Sequence, residues 1–188
     1  MILITGGSGS GKSEYAENLA VDINSPLLYI ATMANLGKEA EERIARHRRQ
    51  RAGKGFETLE SMYLDEHIDT FNNRVVLLED LSNLLSNYMF LKNDSYEILD
   101  DNVMSTYSVP KKTGDYENEV DIIYKKLIAI DSVCRELIIV TNEIFSDGKV
   151  YEQSVMDFIR NLANLNKRLA KISHQFTEVV YGIPVMIK

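Results

Sequence analysis

Gly6 to Ser13 reads GGSGSGKS, which has the spacing G-x-x-x-x-G-K-S. Small residues at that spacing let consecutive backbone N–H groups turn inward around a phosphate, and a helix starting there points its positive end at the same anion. Lys12 can then reach the outer phosphates of a nucleoside triphosphate, and Ser13 can hold magnesium. The β-branched run Met1 to Thr5 supplies the strand that this motif requires, and Glu14 to Ala20 supplies the helix. Nucleotide binding is therefore expected at Gly6, Gly7, Ser8, Gly9, Ser10, Gly11, Lys12 and Ser13. The alternative reading is a flexible Gly/Ser turn.

A second group of residues could do chemistry. Arg43, Arg46, Arg48, Arg49, Arg51 and Lys54 place six of the chain's 21 basic residues around His47. On a helix over Leu36 to Arg51, Arg43, His47 and Arg51 fall at i, i+4 and i+8, so one face carries an imidazole between two guanidinium groups. Neighbouring cations disfavour imidazolium, a neutral ring is what a nucleophile needs, and the same arginines could grip the phosphate it attacks. A solvated charged face is the other reading. His67 and His174 have no motif around them. Glu79 ends the apolar run Val75 to Glu79, where a carboxylate can bind magnesium directly or through water, or can cap the next helix.

These groups must be held by a scaffold, and the apolar periodicity describes one. Short, nearly continuous runs at Met1 to Thr5, Leu27 to Ala31, Val75 to Glu79, Leu137 to Thr141 and Glu178 to Tyr181 suit strands buried on both faces. Helical patterns at Lys12 to Val21, Leu36 to Arg51, Ser61 to Phe71, Leu81 to Leu91, Tyr116 to Cys134 and Glu152 to Phe176 supply the crossovers that parallel strands need. The expected fold is a three-layer α/β P-loop arrangement with a mostly parallel sheet. The ending Val179 to Ile187 adds an antiparallel edge strand after a turn at Gly182. Lys92 to Asn118 reads as a loop or mobile excursion, and residues 1–188 as a single nucleotide-binding domain.

Composition narrows the class. A net charge of −7 argues against general affinity for nucleic acid or acidic membranes, and RHRRQR lacks the interleaved aromatics of a nucleic-acid surface. No apolar stretch approaches a membrane span. MILITGG lacks a basic flank and a cleavage region, so it reads as a strand and a cytoplasmic protein is expected. The single Cys134 excludes an internal disulfide and reads as a packing residue.

Several blocks, in order along the whole chain, resemble the adenosylcobinamide kinase/adenosylcobinamide-phosphate guanylyltransferase family of cobalamin biosynthesis. They are GGSGSGKSEYAE, YIAT at Tyr29 to Thr32, RIARHRRQR at Arg43 to Arg51, Thr58-Leu59-Glu60, VLLEDLSNLLSN at Val76 to Asn87, Val140 to Glu143, Asn166 with Leu169-Ala170, and the closing GIPVMIK. The segment RI-x-x-H-x-x-x-R followed by T-x-E is far more discriminating than the P-loop. The family usually has a Cys where this chain has Asp80, a Trp near Phe56, a Gly-containing turn where this chain has Ile144 to Gly148, and an Arg-Asp pair where it has Ile159-Arg160.

The resemblance implies a bifunctional enzyme with magnesium as cofactor and ATP or GTP as substrate. It would phosphorylate adenosylcobinamide, then transfer GMP from GTP to the resulting phosphate through a guanylylated histidine, which falls at His47, with Lys12 as the other catalytic residue. Nucleotide contacts carried over beyond the P-loop are Thr32, Met33, Ala34, Arg48, Arg49, Gln50, Arg51, Glu60 and Glu79, with Ser13 and Glu79 as metal ligands. A homotrimer is implied as well. The competing readings are another P-loop small-molecule kinase and a divergent nucleotide-binding paralogue with altered or lost corrinoid chemistry.

Overall fold

The protein is described from a computed structural model, covering residues 1–33, 38–91 and 116–188, with the helix backbone alone for residues 38–41, 43 and 50. Ala34 of the expected contacts lies outside the described residues, as do residues 92–115 of the expected excursion.

Seven strands form one sheet: β1 (Ile2–Thr5), β2 (Leu27–Ala31), β3 (Phe56–Glu60), β4 (Val75–Glu79), β5 (Glu136–Val140), β6 (Gln175–Val180) and β7 (Ile183–Met186). Their spatial order is β3-β2-β4-β5-β1-β6-β7, parallel throughout except for the antiparallel β6–β7 pair at one edge. The expected architecture and its antiparallel edge are both present.

The central strands are continuously apolar because each alternates between two buried faces. Ile2, Ile4, Tyr29, Leu77 and Ile138 point to one side, where Ala16 and Ala20 of α1 (Lys12–Asp22) pack on them. Leu3, Ile30, Leu78 and Ile139 point to the other, beneath α3 (Leu81–Ser86), α4 (Glu117–Val133) and α5 (Gln153–Ile172). α5 meets the sheet with Leu162, Leu165 and Leu169, an i, i+3, i+7 stripe.

Several boundaries differ from the sequence reading. β3 had no strand pattern of its own, since three of its five residues are exposed at the sheet edge. Ser61 to Phe71, read as a helix, is irregular except for a 3-10 turn at Ile68–Phe71. Leu64 takes φ 53 there, its N–H goes to Ser61 Oγ at 3.0 Å, and Lys126 Nζ donates to the Leu64 carbonyl at 2.8 Å, so the helical ladder is replaced by side-chain partners. The Leu81 to Leu91 helix changes to π geometry at Asn87–Leu91, where Asn87 Nδ2 donates to the Thr32 carbonyl at 2.8 Å. α5 stops at Ile172, and Gln175 to Thr177, read partly as its last turn, pair with β1 in β6. Glu117 and Asn118, shared by the expected excursion and the helical pattern from Tyr116 to Cys134, open α4, so the helical reading holds there.

Candidate functional site

The C-terminal ends of β1, β2, β4 and β5 converge, and that is where ligands bind in open α/β sheets. β1 leads into the P-loop, whose glycines are required by close approach. A Cβ on Gly6 would stand 2.5 Å from Ser10 Oγ and 2.6 Å from the Val179 carbonyl oxygen. Gly11 adopts φ 89, and its Cβ would stand 3.2 Å from Gly182 Cα in the β6–β7 turn. That turn is tied to the loop by Gly182 N–H donating to the Ser10 carbonyl at 2.7 Å.

Lys12 is nearly buried and donates to the Gly7 carbonyl at 3.2 Å. Burial pulls its ammonium below the usual lysine value, while Asp80 and Glu79 oppose that shift. Ser13 Oγ donates to Glu79 Oε1, and Tyr29 Oη donates to Glu79 Oε2 at 3.1 Å. Burial raises the Glu79 carboxyl above the ordinary carboxylate range, and the two hydroxyls offset part of that rise. Glu79 therefore does not cap the next helix. Asp80 does, accepting Asn83 N–H at 3.0 Å. The adjacent oxygens of Ser13 and Glu79 are hard donors beside a phosphate cradle, and they fit magnesium, which needs only one or two protein oxygens when phosphates complete its shell.

Two cavities meet at this point. One, of about 950 Å³, is lined by Ser8 to Ser13 and reaches Lys54, Asn142 and Glu143. The other, of about 690 Å³, lies between β2, β3 and α2 (Lys38–Arg51) and is lined by Tyr29, Arg48, Arg49, Arg51, Thr58 and Glu60. Met33, His47, Glu79, Asp80 and Asn83 border both. His47 thus stands in the shared wall, and its Nδ1 is buried without a hydrogen-bond partner among the described residues.

The basic helix is not a uniformly solvated face. Arg48 pairs with Glu60 across the second cavity, and Lys54 binds the buried Glu17 of α1 at 2.7 Å. Arg51, expected on an exposed face beside His47, is only 7% exposed. Its guanidinium lies 3.4 Å from the Tyr29 ring centroid, and its Nη1 is buried without a hydrogen-bond partner among the described residues. Thr32 lines neither cavity; its Oγ1 accepts Asp80 N–H at 3.0 Å and donates to the Asp80 carbonyl at 2.9 Å, so it fixes the backbone between β4 and α3. The side chains of Arg43 and Gln50 are outside the description.

The sequence reading passed over Tyr29, Asp80, Asn142 and the Lys54–Glu17 pair. Asp80 and Asn142 Nδ2 are joined at 2.8 Å although 62 positions apart, and Asn142 Nδ2 also reaches Ser82 Oγ at 2.7 Å. Their signal was position: polar residues just beyond the C-terminal ends of buried strands sit at the crevice.

Comparison with known proteins adds an independent line. The sequence profile described as cobinamide kinase / cobinamide phosphate guanyltransferase matches residues 2–187. The chain is 34% identical over 198 residues to the bifunctional adenosylcobalamin biosynthesis protein CobU of Escherichia coli K12, covering 100% of this chain and 99% of that one. It is 32% identical over 196 residues to the protein of the same name from Salmonella typhimurium LT2, with the same coverage. Among solved structures, an ATPase from the type III secretion system of pathogenic bacteria shares 11% identity at TM-score 0.44, over 94% of this chain and 51% of the ATPase.

Proposed function

The chain belongs to the cobinamide kinase / cobinamide phosphate guanyltransferase family, and on that premise we propose that it phosphorylates adenosylcobinamide with ATP or GTP and then transfers GMP from GTP to the new phosphate through a guanylylated His47. The observation that carries the reading is the place of His47 in the wall between the P-loop cavity and the arginine-lined cavity. A triphosphate held by the P-loop amides and Lys12 can present its α-phosphorus to a group in that wall, and its γ-phosphorus to an acceptor on the other side.

Each half-reaction uses this chain's own groups. In the kinase step the P-loop N–H groups and Lys12 hold the β and γ oxygens in line with the acceptor hydroxyl. In the guanylyl step an imidazole nitrogen attacks the α-phosphorus, the bond to the β-phosphate oxygen breaks, and diphosphate leaves against the positive charge of Lys12. The acceptor phosphate then attacks the same phosphorus and frees the imidazole. Ser13 and Glu79 would hold magnesium, which neutralises phosphate charge when bound. Arg49 and Arg51 supply cations to the second cavity for the nucleotide, together with Arg48 once its pairing with Glu60 opens.

The family resemblance supports a homotrimer, and the reading places the enzyme in the cytoplasm. Among the described residues no helix is long and apolar enough to cross a membrane. Nucleic acid is no partner in this reading: the net charge is −7, Arg48 is paired with Glu60, and Arg51 is buried against Tyr29.

The test is to incubate the protein with α-labelled GTP and magnesium. Mass spectrometry is expected to find one GMP, on the peptide spanning Arg46 to Arg48, in an acid-labile, base-stable linkage. His47→Ala is expected to lose the adduct and adenosylcobinamide-GDP formation while retaining phosphorylation of adenosylcobinamide. An undiminished adduct in that variant removes His47 from the mechanism and leaves a plain kinase.

A further inference from the structure

We propose that the Lys54–Glu17 ion pair is a positioning clasp for guanylyl transfer: it sets His47 of α2 against the P-loop at the start of α1, so that the imidazole stands in line with the α-phosphorus. This rests on the guanylyl-histidine reading above. In that step the bond from an imidazole nitrogen to the α-phosphorus forms as the bond to the diphosphate oxygen breaks, which requires close alignment of the two. The phosphates are held by the P-loop and α1, and the nucleophile is carried by α2. The line of attack therefore depends on how these two elements are fixed to each other.

Side chains from α2 and its C-terminal turn reach β3, β2 and α1. Arg48 pairs with Glu60 on β3, and Arg51 stacks on Tyr29 of β2. Lys54 Nζ donates to Glu17 Oε2 at 2.7 Å and to Asn18 Oδ1 at 3.2 Å, both on α1. The first two contacts engage arginines that line the second cavity. The third goes to the phosphate-binding helix itself, where Glu17 stands about one turn after Ser13. At the other end of the link, Lys54 N–H donates to the Arg51 carbonyl at 3.0 Å, which ties the lysine to the end of α2, and His47 lies one further turn back along that helix.

The pair is suited to holding register more than to adding stability. Glu17 is 1% exposed, and its Oε1 is buried without a hydrogen-bond partner among the described residues, so its charge depends on Lys54. A buried ion pair gains little over apolar residues of the same size, but separating its partners is costly, and a contact of that kind favours one alignment over its neighbours. A shift of α2 along α1 would draw Lys54 away from Glu17 and Asn18 together. Phosphoryl transfer to adenosylcobinamide makes no use of this alignment, because its nucleophile is the acceptor's own hydroxyl.

The experiment measures two rates on the same preparations of the full-length protein with magnesium: formation of the GMP adduct at saturating GTP, and phosphoryl transfer from γ-labelled ATP to adenosylcobinamide. The variants are Lys54→Met, Glu17→Leu and the two combined. Each single change is expected to slow adduct formation by about 10-fold or more, with phosphoryl transfer at the wild-type rate. The combined variant is expected to lose no more than the slower single one, since both changes break one contact. Equal fractional losses in the two rates would make the pair a structural contact only and overturn the proposal. Unchanged adduct formation in both single variants would do the same, as would losses that multiply in the combined variant. A loss confined to Lys54→Met, with Glu17→Leu at the wild-type rate, would also overturn it and put Lys54 on the nucleotide directly. Wild-type protein that phosphorylates adenosylcobinamide but forms no adduct would instead overturn the guanylyl-histidine reading itself.

Discussion

Arg51 and Tyr29 form a stacked pair, with the guanidinium carbon 3.4 Å from the ring centroid, and through the Tyr29 hydroxyl the same ring holds Glu79. The last turn of the basic helix is thereby joined to the carboxylate opposite Ser13. One aromatic residue bridges the arginine-lined cavity and the P-loop cavity.

Arg51 accordingly has a structural role as well as a chemical one. Arg51→Ala is expected to cost about 1–3 kcal/mol, because it removes a buried cation–π contact and the packing of the stem. Arg51→Lys should restore part of the stability but not GMP transfer, since a point charge lacks the planar fork. Urea denaturation and the GMP-transfer rate measured on the same preparations separate the two effects. A loss within 0.5 kcal/mol for Arg51→Ala would return the residue to a solvated face.

Lys12 illustrates stability given up for function. Burial holds its ammonium pKa below the usual 10.5, so the charged form is costlier in the folded chain than in the unfolded one. The stability linked to this group is complete above pH 10.5 and is lost as pH falls through the folded value. Lys12→Met, which keeps the stem and removes the charge, is expected to abolish both transfers while raising Tm, by roughly 2–4 °C for each kcal/mol relieved. Calorimetry at pH 7 and at pH 10.5 checks the sign: the gain should shrink at the higher pH.

Gly6→Ala should fail even though the change adds one methyl group. The added Cβ meets Ser10 Oγ and the Val179 carbonyl well inside contact distance, and the carbonyl cannot rotate away. Equilibrium dialysis with GTP is expected to show weakened binding by Gly6→Ala, whereas Gly7→Ala, where a Cβ meets nothing within 4 Å, should bind more nearly as the unmodified protein does.

Cys134 should be chemically quiet. Burial and the neighbouring Asp131 push its thiol up to about 12, so little thiolate exists at pH 8. Iodoacetamide is expected to label it slowly in the native protein and rapidly in denaturant. Fast native labelling at pH 8 would show a more open environment around the end of α4.

The parts of this molecule that announce themselves in sequence are those with local causes. The P-loop carries its spacing within eight residues, and the central strands show uninterrupted apolar runs because both faces are covered. Glu79 was legible because it terminates such a run. β3 was not, since an edge strand with exposed Glu57, Thr58 and Glu60 has no apolar signature. The segment from Ser61 to Phe71 had helical spacing, but Leu64 at positive φ and the reach of Lys126 are tertiary facts. Helical periodicity correctly placed Arg51 one turn from His47, yet could not say that Tyr29 would draw it inward. The Asp80–Asn142 contact joins the ends of two neighbouring strands and becomes visible only when β4 and β5 lie side by side.

The strand order has a consequence for how the protein comes into being. β1, which leads directly into the phosphate cradle, is hydrogen-bonded on one side to residues 138–140 and on the other to residues 175–178. β1 therefore finds both of its neighbours only after the residues up to 178 have been made, and such distant pairings are slow to close. Until β6 has been made, β1 lacks one of the two strands that flank it. A nascent chain halted before β6 would carry every residue of the P-loop and still lack the lateral support that aims its amides at a nucleotide.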